Sequence, residues 1–173
     1  SENNLVNKPK IELATNPPGL AALIAPLTKL PANIAFFVWS GIQLTALLAL
    51  ILLSFRALDL AINFKQILIV LVVALVPYGT QAHFAYGQSQ IFIAMLLTLG
   101  TLMIKRGRLK QGAFIWGVAT SLKLFTWPFA ILALFYTGLS GSLCFAFGFL
   151  SLNLLAVVYG GAGVLPAYFD SAI

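Results

Sequence analysis

Gly112-Ala-Phe-Ile-Trp-Gly-Val-Ala-Thr-Ser-Leu-Lys-Leu-Phe-Thr-Trp-Pro-Phe-Ala-Ile-Leu-Ala-Leu-Phe-Tyr136 carries one charge, at Lys123, in an otherwise apolar and small-residue run. From Gln111 to Phe169 no other charged side chain occurs. A lone ammonium in hydrocarbon costs roughly 2.5–3.5 kcal/mol on insertion scales, so an ionisable group placed there marks a functional site with an anionic partner. The chain's acidic residues are Glu2, Glu12, Asp59 and Asp170, all distant from Lys123 in sequence, which brings a ligand phosphate into competition with a protein carboxylate. The plainer alternative is a lysine at a helix end that snorkels to the interface. The run reads either as one Pro-kinked span or as two half-length helices meeting between Lys123 and Pro128. The broken form is preferred. Gly112 to Leu122 reaches only about 16 Å as a helix, and Pro128 removes a backbone donor and disfavours helical geometry at Trp127. Free backbone groups at membrane depth persist only where they line a cavity or are satisfied by protein, which suits a site better than an anchor.

Working outward, the composition fixes the solvent. With 61% hydrophobic and 8% charged residues and a mean hydropathy of +1.00, this is an integral membrane protein and not a soluble domain. The net charge of +6 lies in short loops between apolar runs, not in a stripe, so it predicts topology and not nucleic-acid binding. Cys144 stands alone inside an apolar run; it forms no intrachain disulfide and reads as a small buried thiol. The chain begins at Ser1 without Met and ends at Ile173 after an apolar segment, and the expectation is a single membrane domain excerpted from a longer protein.

Apolar runs of about 20 residues set the spans. Ile34 to Phe55 is the first and Gln66 to about Ala82 the second, interrupted late by Pro77. The third runs from about Gln88 to Ile104. The broken pair and a last span from Leu143 to about Tyr159 complete residues 32–159 as about four full spans plus a broken helix pair. The basic loops Arg56 to Lys65 and Lys105 to Lys110 are two spans apart and both belong on the cytoplasmic side, which puts the His83 to Gln88 loop outside. Residues 1–31, broken by Pro17, Pro18, Pro26 and Pro31, form an outer loop or interfacial segment, and residues 160–173 an outer loop. Ala113, Gly117 and Ser121 recur every four residues as a small face for close helix packing.

This alternation gathers Glu12, Asn16, Tyr78, Gln81, His83, Tyr86, Gln88, Gln90 and Lys123 at one membrane surface. His83 is a candidate base or phosphate donor, or simply an interfacial polar group. Gln88, directly after Gly87 at a helix start, either helps bind an anion at the positive helix end or caps the helix. No metal-ligand cluster, phosphate loop, dinucleotide fingerprint or nucleophile elbow is present, so neither a metal nor a nucleotide cofactor is expected.

Three segments in order then carry a resemblance. Asn16-Pro17-Pro18 with Ala25-Pro26-Leu27, Leu30-Pro31 and Trp39 comes first, then Tyr86-Gly87-Gln88 before an apolar helix. Gly107-Arg108, Gly112 and Gly117 followed by Lys123 and Pro128 form the third. Over most of its length the chain resembles glycosyltransferase family 87, although its proline lies five residues after the lysine, farther than the family usually places it. The resemblance implies an all-helical GT-C type membrane enzyme that transfers a hexose, often mannose, with inversion from a polyprenyl-phosphate donor to a glycan or glycolipid acceptor. It implies no cofactor, and a site on the outer face of the plasma membrane. The family's base is an outer-loop aspartate. No aspartate precedes Asn16, so that acid lies upstream of Ser1 unless Glu12 replaces it. Lys123 and Gln88 would serve the departing lipid phosphate, with His83, Tyr86 and Asn16 beside them. A transporter or channel for an anionic substrate, or a non-catalytic membrane subunit, are the other classes a lysine in a broken helix admits; the first would carry an inverted repeat, which the sequence lacks.

Overall fold

The computed structural model describes residues 18–161 and 163. Among them every regular element is helical: α1 (Pro18–Ile24), α2 (Ala32–Ala57), α3 (Phe64–Leu75), α4 (Tyr78–Ala85), α5 (Gln90–Lys105), α6 (Leu109–Leu122) and α7 (Pro128–Gly160). Short 3-10 turns cover Ala25–Lys29 and Leu124–Thr126. The runs Ala32–Ala57 and Leu124–Gly160 are long and apolar enough to cross a bilayer. The bent pair α3 and α4 adds a third if it is counted as one span.

Local chemistry sets the element ends. Asn63 caps α3, its side chain accepting from the Lys65 amide at 2.9 Å. Pro77 cannot extend α3, and α4 leaves it at 76°. The expected second span is therefore two helices, α3, about 18 Å long, and the shorter α4. At the other break, Lys123 itself is extended (φ −158°, ψ 118°) and Trp127 keeps helical angles. The chain does break between Lys123 and Pro128, but the lysine leaves the helix, and Pro128 merely starts α7, where its missing N–H costs nothing.

α7 is not one rod. Gly138 sits at φ 65°, ψ −167°, a conformation open to glycine, and folds the helix into arms 128–137 and 139–160. The first arm returns along α6: the Phe129 and Trp116 rings meet edge to face at 4.9 Å, and Tyr136 reaches Lys105 and Leu109. The second arm rises again beside α6, crossing it where Gly117 abuts the Phe145 carbonyl and Gly148 the Phe114 carbonyl. The small face expected at Ala113, Gly117 and Ser121 is this contact, and Ala113 and Ser121 are fully buried.

α2 and α5 run parallel in register. The Trp39 indole N–H donates to the Gly87 carbonyl at 2.8 Å, and 48 residues is also the separation between Ala57 and Lys105, whose ammonium donates to the Ala57 carbonyl at 2.8 Å. Lys105 pairs as well with Asp59, the only acid among the described residues. The helix directions thus place Arg56, Lys65, Lys105, Arg106, Arg108 and Lys110 at one end of the bundle, and α4, the start of α5 and Lys123 at the other. α1 closes that second end: Gly19 lies against the Ser121 carbonyl and Leu152. Cys144, expected to be buried, is free and half-buried, because it lies on the second arm of α7 away from the Gly117 crossing.

Candidate functional site

Lys123 ends α6 where the backbone turns from helix to extended chain, and it is half-buried. The turn is held from within. The Thr126 hydroxyl donates to the Lys123 carbonyl at 2.9 Å, and the Thr120 hydroxyl, 3.1 Å from that of Thr126, donates to the Trp116 carbonyl. These bonds satisfy groups that the break would otherwise orphan. The Lys123 ammonium lies 5.7 Å from the Phe125 ring centroid, within cation–π range. Among the described residues it has no carboxylate, since Asp59 is held by Lys105 at the opposite end.

Beside Lys123 is a cavity of about 150 Å³ walled by Leu20 of α1, the Tyr86 to Ser89 turn and Gln90 at the start of α5. Tyr86, Gln88 and Lys123 are thereby brought together as the sequence suggested. Gly87, at φ 61°, reverses the chain between α4 and α5, and the Gln88 amide donates to the His83 carbonyl at 3.0 Å. The helix begins at Gln90 with Ser89 at the capping position, so Gln88 neither caps it nor offers a free amide; only its side chain is available to the cavity. That corrects the helix-start reading of Gln88 and moves the start of the third apolar helix by two residues.

His83 is buried on α4 rather than open to the cavity, and its Nε2 has no hydrogen-bond partner. Gln90 Oε1 is likewise unpaired, as are both amide atoms of Gln43, which is 1% exposed on α2 one turn below Trp39. Unsatisfied amides and imidazoles inside a protein are costly. Leu20 and Ser89 were not singled out from the sequence, because only the docking of α1 makes Leu20 a wall. Gln43 could have been found: it is the one amide inside the Ile34 to Phe55 span.

A second, apolar cleft of about 260 Å³ adjoins the first, sharing Leu20 and Gly87 with it and lined further by Ile24, Leu27, Ala35 and Trp39. A cation in a polar recess beside an apolar cleft suits an amphiphile with an anionic head. Glu12 and Asn16 lie outside the described residues. Among the described residues no cluster of His, Cys, Asp or Glu is suited to a metal ion.

The model of glycosyltransferase family 87 matches residues 14–173. The chain belongs to that family. Comparison with curated proteins and with solved structures gives no match. This family 87 chain is thus a membrane glycosyltransferase, a transferase with a sugar donor and an acceptor; of the segments that suggested the family, Tyr86-Gly87-Gln88 and Lys123 line one cavity and Trp39 bonds to its Gly87 turn.

Proposed function

We propose that the Lys123 cavity binds the phosphate of a polyprenyl-phosphate hexose, often mannose, and that the enzyme is of the GT-C type and transfers the hexose with inversion to a glycan or glycolipid hydroxyl on the outer face of the plasma membrane. One observation carries the reading: an ammonium without a described counter-ion faces a polar recess that opens beside an apolar cleft. In such a transfer the bond between the anomeric carbon and the phosphate oxygen breaks as the acceptor oxygen attacks from the opposite side. Negative charge grows on the departing phosphate, where a fixed cation and hydrogen-bond donors lower the barrier. Lys123 supplies the cation, and the Gln88 side-chain amide and Tyr86 hydroxyl supply donors. The acceptor's proton needs a base; Glu12 is the candidate in this chain and an outer-loop aspartate the family's choice. Asn16 belongs to the same outer segment.

The test is competitive binding. Polyprenyl monophosphate should protect a Cys introduced at Tyr86 from thiol labelling, whereas polyprenol of equal length should not. Lys123→Met should abolish the difference. Equal protection by the two lipids would overturn the phosphate assignment.

A further inference from the structure

A groove lies toward the basic end of the bundle, opposite Lys123. It has a volume of about 640 Å³ between α5, α6 and the first arm of α7, lined by the apolar Ile104, Leu109, Trp116, Phe129 and Leu132 together with Thr101, Lys105 and Tyr136. Trp116 forms its floor with the indole N–H already given to the Leu97 carbonyl at 3.1 Å, so the ring offers only apolar surface. Leu109 also walls a polar recess of about 400 Å³ lined by Arg108, Lys110, Gln111 and Ser140. No carboxylate lines that recess, and the only described acid, Asp59, is tied to Lys105. Two cations and two neutral polar side chains therefore surround a space that shares its Leu109 wall with a mostly apolar groove.

We propose that this face binds one anionic phospholipid, with its phosphate in the Arg108 and Lys110 recess and an acyl chain along the groove to Trp116. From Leu109 to Trp116 the helix rises about 10 Å, so a chain anchored at the recess passes the indole well inside the hydrocarbon layer. Tyr136, 66% exposed at the groove's rim, has the amphipathic ring that favours the headgroup boundary. Charge selects the occupant: basic pockets between membrane helices attract anionic headgroups, while a zwitterionic lipid brings its own cation against Arg108 and Lys110. The site is independent of the donor reading, being built from other residues at the other end of the bundle.

The experiment is fluorescence quenching by lipids brominated on the acyl chain, with the protein reconstituted in vesicles of phosphatidylcholine doped with either brominated phosphatidylglycerol or brominated phosphatidylcholine. Trp127→Phe removes the exposed indole at the far end, and comparison with Trp127→Phe/Trp116→Phe isolates the Trp116 signal from that of Trp39. At equal mole fraction the glycerol lipid should be about fivefold or more enriched at Trp116. Arg108→Gln/Lys110→Gln should reduce the enrichment to about one while leaving quenching by the choline lipid unchanged. Equal quenching by both lipids in the unsubstituted chain would overturn the anionic site. Absence of Trp116 quenching by either lipid would show the groove covered by protein, a further segment or a second copy, and would equally overturn it.

Discussion

The indole N–H of Trp39 donates to the carbonyl of Gly87 at 2.8 Å, joining two residues 48 apart in sequence. Gly87 is the left-handed hinge between α4 and α5, and its neighbours Tyr86, Gln88 and Ser89 wall the polar cavity. Trp39 also lines the apolar cleft. One side chain therefore fixes the turn that shapes the polar recess and forms the wall of the slot beside it, which couples their relative positions.

Trp39→Phe keeps most of the ring but strands the Gly87 carbonyl. The expected cost is about 1 kcal/mol of stability, with weaker binding of a phosphate-headed lipid as the turn loosens. Thermal unfolding in detergent and lipid competition measure the two. Unchanged values for both would show that the bond holds nothing in place.

The crossing of α6 with the second arm of α7 depends on missing side chains. A Cβ at Gly117 would overlap the Phe145 carbonyl and one at Gly148 the Phe114 carbonyl, both rigid backbone, whereas Gly41 and Gly79 meet nothing. Gly117→Val should destabilise by about 1–3 kcal/mol by forcing the helices apart, while Gly79→Ala should be close to neutral. Equal unfolding temperatures for the two variants would refute the close crossing.

Much of this arrangement was legible in the sequence because the membrane simplifies the problem. Long apolar runs and clustered cations located α2, α5 and the basic loops, and the isolation of Lys123 located the break. What was not legible came from tertiary placement. Nothing in the glycine content of Thr137-Gly138-Leu139 distinguishes a fold-back from a continuous helix, since the reversal is decided by Phe129 and Ala133 finding the face of α6. Pro77 announced a kink but not its 76° angle, and the burial of His83 depends on where that angle sends α4. Leu20 entered the cavity only because Gly19 lets α1 approach the end of α6.

The fold-back has a topological consequence. Tyr86, 74% exposed, belongs to the Lys123 end, while Tyr136 lies with Lys105 and Leu109 at the basic end. In a Cys144→Ser background, a membrane-impermeant thiol reagent should label Tyr86→Cys in intact cells and reach Tyr136→Cys and Arg108→Cys only after permeabilisation. Labelling of Tyr136→Cys together with Tyr86→Cys would require the single-span alternative. Complete inversion of the pattern would put the cavity on the face that holds soluble nucleotide sugars and remove the case for a lipid donor.

The decisive substitution is at Lys123. Lys123→Met retains the length and apolar stem of the side chain, so the Thr126 bond to the backbone carbonyl and the contacts of α6 should survive. Only the charge that meets the departing phosphate is lost. Transfer from a polyprenyl-phosphate sugar should fall at least about tenfold, equivalent to about 1.4 kcal/mol of transition-state stabilisation, with unchanged membrane insertion. The loss should appear in kcat as well as KM, because phosphate charge increases as the glycosidic bond breaks. Lys123→Arg should restore part of the rate, since the guanidinium keeps the charge but places it differently above Phe125. Near-normal transfer by Lys123→Met at equal protein in the membrane would identify the lysine as a snorkelling side chain, and the phosphate would then have to be held elsewhere.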